Sequence, residues 1–124
     1  MNVDALRKFC LSFPDATENL QWGDDLCFKI GGKIFAIVGL ESVPQKLCFK
    51  CDPETFADLT EREGIIPAPY LGRYKWVLLE RIGAVTDSEL RGLIRQSYDM
   101  VVAKTKSPKR QRRNQKKIPS RKQR

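Results

Sequence analysis

Two β-type apolar runs separated by two glycines constrain the fold of this 124-residue chain more than any other feature. Leu26, Phe28 and Ile30 stand at every second position, which is the period of a strand with one buried face. The apolar run 34–38 follows Gly31-Gly32. Both central residues of a type I′ turn need a positive φ, which glycine adopts without strain, so the two runs predict a β-hairpin.

The segments around the hairpin predict further strands and three helices. A third strand is predicted at 46–50, and another at 74–79 after an extended, proline-rich edge at 65–69. Strands of a meander pair antiparallel, so we expect a two-layer α+β sandwich: an antiparallel sheet with its helices on one face. Helices are predicted at 3–13, after the Asp52-Pro53 start signal, and after the capping box that begins at Thr86.

Positive charge is concentrated at the end of the chain. Residues 1–103 hold 12 Lys/Arg and 15 Asp/Glu, a net charge of −3, whereas residues 104–124 hold 11 Lys/Arg and no acid, which accounts for the net +8. Ile118 is the only large apolar residue of the final segment, so this segment cannot bury enough surface to offset its ordering entropy. We therefore expect one folded domain at 1–103 and a disordered polybasic tail at 104–124.

Such a tail suits a polyanionic partner, because flexible cationic segments bind phosphate backbones by releasing condensed counterions. We expect nucleic acid, DNA rather than RNA, with little sequence selectivity, because no predicted helix presents a row of base-reading side chains. Arg73 and Lys75, interleaved with aromatic residues at 70–76, are candidate contacts within the domain. The candidate contacts in the tail are Lys104, Lys106, Lys109, Arg110, Arg112, Arg113, Lys116, Lys117, Arg121, Lys122 and Arg124.

Enzymatic and metal chemistry find little support in the residue types present. The chain has no histidine, so it has no Ser-His or Cys-His dyad and no imidazole metal ligand. Cys48 and Cys51 form a C-x-x-C without a second pair, and in a strand residues three apart point to opposite faces. We expect a non-enzymatic protein with no metal, no cofactor and reduced cysteines.

No segment predicts export or membrane insertion. The N-terminus lacks a basic and apolar leader, and the longest apolar run, 34–40, has the length of a strand. We expect a cytoplasmic monomer that does not bind membranes, and that is nucleoid-associated if the source is bacterial. Two alternatives stay open: an adaptor module for an acidic protein partner, and a small-ligand binder with a pocket near Trp22, Tyr70 and Trp76.

Several stretches together cover nearly the whole predicted domain: FPDATE at 13–18, FKIGGKIFA at 28–36, LCFKCDPE at 47–54, PAPY at 67–70 leading into YKWV at 74–77, and SYDMVV at 97–102. In this order and at this spacing, these stretches resemble the MmcQ/YjbR family. Members of that family are described as DNA-binding proteins and share the CyaY-like (frataxin-like) fold. The resemblance thus implies a CyaY-like domain and DNA binding, whereas the tail extends past the matching stretches.

Overall fold

The computed structural model describes residues 1–105, which form three α-helices and a six-stranded sheet. The helices are α1 (Val3–Leu11), α2 (Pro53–Thr60) and α3 (Asp87–Thr105). The strands are β1 (Thr17–Gln21), β2 (Asp25–Ile30), β3 (Lys33–Gly39), β4 (Lys46–Lys50), β5 (Ile65–Pro67) and β6 (Trp76–Leu79). Their order is β1-β2-β3-β4-β6-β5, and every neighbouring pair is antiparallel. The predicted α+β sandwich is confirmed.

Short-range signals begin these elements where the sequence predicts. The Oδ1 atoms of Asn2 and Asp52 accept hydrogen bonds from backbone N–H groups in the first turns of α1 and α2, at 2.8 and 2.7 Å. Thr86 Oγ1 accepts a 3.2 Å hydrogen bond from a backbone N–H in the first turn of α3. Gly31 and Gly32 have φ of +59° and +79°, as the two-residue turn between β2 and β3 requires.

The first strand is an element that hydrophobic periodicity misses. The sequence predicts three strands before α2, whereas the structure has four. Thr17, Asn19 and Leu20 of β1 are exposed and its other two residues are only partly buried, whereas its backbone pairs with β2 along its whole length. Glu18 also forms an ion pair with Arg7 of α1. Backbone pairing with one neighbour is enough to hold an edge strand, so β1 needs no apolar face.

The first and last helices, α1 and α3, end at residues other than those predicted. α1 ends at Leu11 and not at Phe13, although Phe13 is buried in the core just beyond the helix. α3 continues through Lys104 to Thr105, so Lys104 lies in a helix of the domain and not in a disordered tail. The half-buried Thr105 side chain donates a 2.9 Å hydrogen bond to Val102 O, which supports a last turn that apolar periodicity alone does not indicate.

All three helices share one apolar core on one face of the sheet. Leu6 of α1, Leu59 of α2 and Ile94 of α3 belong to the same cluster of buried side chains. Phe28, Phe35 and Phe49 are the largest fully buried side chains that the sheet contributes. The opposite face of the sheet is therefore the face without helices.

Within residues 1–105, no helix combines the length and the apolar character that a membrane span requires.

A bulge in β3 is closed by a buried serine of α3. The register of β2 and β3 shifts after Phe28, which leaves Phe35 without a partner in β2. The Oγ atom of Ser97 (0% exposed) donates to Phe35 O at 2.7 Å and accepts from Lys50 N at 3.0 Å. Ser97 thereby satisfies backbone groups of both β3 and β4, and it fixes the position of α3 over the sheet.

Replacing this serine should destabilise the fold. Ser97→Ala leaves the Phe35 carbonyl and the Lys50 N–H without their partner, so we expect the free energy of unfolding to fall by about 2 kcal/mol. Urea denaturation followed by circular dichroism measures the change. Ser88→Ala in the exposed first turn of the same helix is the matched control, and it should change stability far less. Equal stability of the two variants would contradict the bridging role of Ser97.

Candidate functional site

The helix-free side of the sheet carries a continuous row of mostly apolar side chains. One row of cross-strand neighbours runs over all six strands, and its members face away from the helices. These are Asn19, Cys27, Ile37, Cys48, Leu78 and Ile66. We call this side of the sheet the open face. Its central members Ile37, Cys48 and Leu78 are only partly buried, so apolar surface remains accessible.

The segment between β5 and β6 lies over one end of the open face. Ala68 N donates to Trp76 O at 3.0 Å, and Trp76 N donates to Leu71 O at 3.3 Å, so the segment folds back onto the start of β6. Ala68 and Trp76 are buried, yet neither belongs to the core under the helices. This segment therefore packs beside the start of β6, apart from the core under the helices.

Two adjoining cavities lie beside this segment: the second is on the open face, and the first extends from the open face to the end of α3, where Val101 and Lys104 line it. The first has a volume of about 460 Å³ and the second of about 450 Å³. Trp22, Ile37 and Leu71 line both, so the two cavities form one groove. Each volume lies within the range of pockets that hold small organic ligands. The groove is therefore large enough to bind a small organic ligand.

Two aromatic side chains stand exposed along the groove on strained backbone. Trp22, in the turn before β2, is 67% exposed and lines both cavities; Tyr70 is 97% exposed and lines the second. Their φ angles are +54° and +66°, in the left-handed region that bulky residues adopt at a cost of about 1 kcal/mol or more. Neither ring gains much burial in return, so folding stability does not account for their placement.

Three lysines from three different elements line the first cavity. Lys33 begins β3, Lys50 ends β4 and Lys104 lies in the last turn of α3. We call these three residues the lysine rim. None of the ion pairs found within residues 1–105 involves them. Burial lowers the pKa of Lys50, and the neighbouring charge of Lys104 lowers it further, so the two ammonium groups lie close together without a carboxylate between them.

Contact between α3 and the β2–β3 hairpin brings the lysine rim together. A Cβ atom added to Gly31 would lie 3.1 Å from Cγ2 of Thr105, so the end of α3 packs against the bare glycine backbone. This contact sets Lys104 beside Lys33 and Lys50 around one cavity. The chain continues from Thr105 into residues 106–124, and the polybasic segment therefore leaves the described domain at the lysine rim.

The two domain residues predicted to contact nucleic acid do not line the groove. Residues Gly72–Tyr74 form a 3-10 turn and Lys75 has a φ of +70°, so β6 begins at Trp76 and not at residue 74 as predicted. The exposed Arg73 guanidinium lies 4.9 Å from the ring centre of Tyr74. Lys75 Nζ lies 5.1 Å from the ring centre of Phe56 in α2. Neither residue lines the first or second cavity.

Most predicted contacts in the tail lie beyond the part of the chain that the structure describes. Lys104 is the exception, and it joins the lysine rim. The others, outside the described residues, are Lys106, Lys109, Arg110, Arg112, Arg113, Lys116, Lys117, Arg121, Lys122 and Arg124.

The structure adds Lys33, Lys50 and Trp22 to the candidate site. Strand alternation already places Lys50 on the outer face, and Lys33 follows directly after the predicted turn. Trp22 is predicted only as part of an alternative small-ligand pocket. Their convergence depends on the end of α3 meeting the hairpin, which is a contact between residues more than 70 positions apart in the chain.

The C-x-x-C motif is divided between the two faces of the sheet, as strand alternation predicts. Cys48 lies on the open face, whereas Cys51 belongs to the core under the helices. Burial raises the pKa of Cys48 to about 11 and that of Cys51 to about 12, which keeps both thiols protonated at neutral pH. This geometry supports a structural role for both cysteines.

Fold and site together define a small two-layer α+β domain whose helix-free face carries an aromatic groove with a lysine rim. The family model described as YjbR matches residues 11–100, and the chain belongs to the YjbR family. A crystal structure of a Deinococcus radiodurans protein with the domain designated DUF419 is 31% identical, with a TM-score of 0.76 over 83% of this chain and 80% of that one. A Pseudomonas syringae protein, 19% identical, has the same fold, with a TM-score of 0.67 over 82% of this chain and 99% of that one. No curated protein matches.

Removing the charge of Lys104 should raise the pKa of Lys50. Lys104→Gln removes the repulsion but not the burial, so we expect the Lys50 pKa to recover only part of the way towards that of an ordinary lysine. Carbon NMR titration of the lysine side chains measures it. Lys8→Gln, on the exposed side of α1, is the matched control and should leave Lys50 unchanged. An unchanged Lys50 pKa in Lys104→Gln would contradict the proximity of the two ammonium groups.

Proposed function

We propose that this YjbR-family protein is a non-enzymatic nucleic-acid-binding protein with little sequence selectivity. One observation carries the proposal: the polybasic segment begins at a rim of three lysines, none of which is in an ion pair with a residue of the range 1–105. Residues 106–124 add ten Lys/Arg and no acidic side chain. Positive charges are scattered over most of the domain. From Lys104 of the lysine rim onwards, they follow one another closely along the sequence.

This continuity favours a polymer of phosphates over a single small anion. Counterion release makes the affinity for a phosphate backbone grow with the number of phosphates that are neutralised, and a run of cations in sequence can follow a run of phosphates. The first 103 residues have a net charge of −3, so the bulk of the domain repels a polyanion. A nucleic acid would therefore approach the lysine rim and the cations that follow it.

DNA is the first nucleic acid to test, because members of the family that this sequence resembles are described as DNA-binding proteins. Sequence readout needs a helix or strand that presents donors and acceptors to a groove of the duplex. On α3, the longest helix of the described domain, the buried side faces the sheet, and the exposed Arg95 is engaged with Asp99 at 3.3 Å. We therefore expect binding that depends on charge more than on sequence.

Ionic strength should control this binding. If about half of the cations after residue 103 engage phosphates, the plot of log affinity against log salt has a slope of roughly −5 for duplex DNA. A chain that ends at Thr105 keeps the described domain but loses ten cations, so its affinity should fall more than about tenfold and its salt slope should flatten. Fluorescence anisotropy across a salt series measures both quantities. Undiminished binding by the shortened chain would contradict the role of the polybasic segment.

A capture experiment distinguishes the adaptor function from nucleic-acid binding. Partners of the immobilised full-length chain should disappear after nuclease treatment if nucleic acid mediates their capture. An acidic protein that remains bound after nuclease treatment, in the same amount as before, would favour the adaptor function instead.

A further inference from the structure

We propose that the groove on the open face binds an unpaired nucleotide, whose base stacks on Trp22 and whose phosphate lies at the lysine rim. This inference rests on the proposed nucleic-acid binding and adds a subsite to it. It assigns the first cavity a ligand with two parts, a planar ring and an adjacent anion. The protein would then prefer single-stranded over double-stranded nucleic acid of equal length.

The charge of the rim determines that the occupant is anionic. Lys33, Lys50 and Lys104 line the cavity, and none of them is in an ion pair within the described part of the chain. Lys50 Nζ has a single hydrogen-bond partner there, the Tyr74 carbonyl at 3.4 Å. The chain's own continuation is cationic and would be repelled from this rim. A phosphate between Lys50 and Lys104 would instead relieve their mutual repulsion.

The lining of the same cavity determines that the anion is attached to an apolar or aromatic group. Trp22, Trp76, Ile34, Ile37 and Leu71 supply its walls. Trp22 is 67% exposed, so its ring is available for stacking, whereas Trp76 (9% exposed) forms part of the wall. Aromatic rings beside cations are the elements with which proteins bind unpaired bases, and stacking tolerates any base because every base has a π-face.

Duplex nucleic acid cannot use this combination. Its bases are stacked on one another and present only their edges in the grooves, so no base face is available to Trp22. The Trp22 ring and the rim line one cavity, which places the base-stacking group and the phosphate-binding groups within the reach of a single nucleotide. A single strand supplies an unpaired base next to each phosphate, so it satisfies both parts of the site.

Oligonucleotides that differ only in their bases test the assignment. The probes are an oligothymidylate, an abasic strand with the same number of phosphates, and a duplex of the same length, each titrated into the full-length chain. We expect the oligothymidylate to bind about fivefold or more tightly than the abasic strand. It should also quench tryptophan fluorescence, because both tryptophans of the chain line the first cavity. Equal affinity for both strands without quenching would overturn the subsite and leave the proposed function standing.

Variants locate the preference in the groove. Trp22→Ala removes an exposed side chain, so we expect it to fold, to bind the abasic strand as before and to lose the preference for bases. Tyr74→Ala is the matched control, because Tyr74 is a 52% exposed aromatic residue that lines neither cavity of the groove. If Trp22→Ala still preferred the oligothymidylate over the abasic strand as strongly as the unaltered chain does, the proposal would be overturned. Failure of all probes to bind even at low salt would overturn the proposed function as well.

Free thymidine monophosphate distinguishes a polymer from a small metabolite with the same chemistry. It offers one base and one phosphate but nothing for the cations after residue 105. We expect its quenching of tryptophan fluorescence to need at least about tenfold more nucleotide than the strand does. Tighter binding of the mononucleotide than of the strand would overturn the assignment to a nucleic-acid chain.

Discussion

The hydroxyl group of Ser97 joins the sheet to α3, the helix that brings Lys104 to the candidate site. The bulge at Phe35 lets the consecutive residues Phe35 and Ala36 both be buried in the core, but it takes the Phe35 carbonyl out of regular strand pairing. The Ser97 hydroxyl accepts a hydrogen bond from Lys50 N and donates one to Phe35 O. Both hydrogen bonds form together in only one position of α3. That position determines where the last turn of α3 meets the Gly31-Gly32 turn, and hence where Lys104 lies. The lysine rim is a consequence of this helix–sheet connection.

The two faces of the sheet serve different purposes. Side chains of all three helices bury one face in a continuous core, as expected for a two-layer fold. The open face keeps Trp22 and Tyr70 in solvent on left-handed backbone, which costs stability and returns little burial. Exposed aromatic groups beside unpaired cations are more readily explained by a ligand than by folding. Strain and exposure therefore coincide at the part of the molecule that we assign to binding.

Hydrophobic patterning predicted the elements that bury side chains and missed those that do not. The hairpin at Gly31-Gly32 and the helix after Asp52-Pro53 follow from local signals, and the structure contains both. β1 is held by backbone pairing, so it has no apolar pattern to read. Lys75 is not a glycine but adopts a left-handed conformation, so β6 begins at Trp76 and the predicted strand loses Tyr74 and Lys75. The lysine rim could not be predicted because it depends on contacts between distant parts of the chain.

Joining a cationic segment to a lysine-rimmed groove changes what either could do alone. A run of cations binds any phosphate backbone and is indifferent to its bases. A groove with three lysines has few charges with which to compete against salt. Because the segment starts at Lys104, a strand held by its cations is also held at high effective concentration beside the groove. In the proposed complex, weak stacking at Trp22 would then be sufficient to select unpaired bases, because the cations would already hold the strand at the protein.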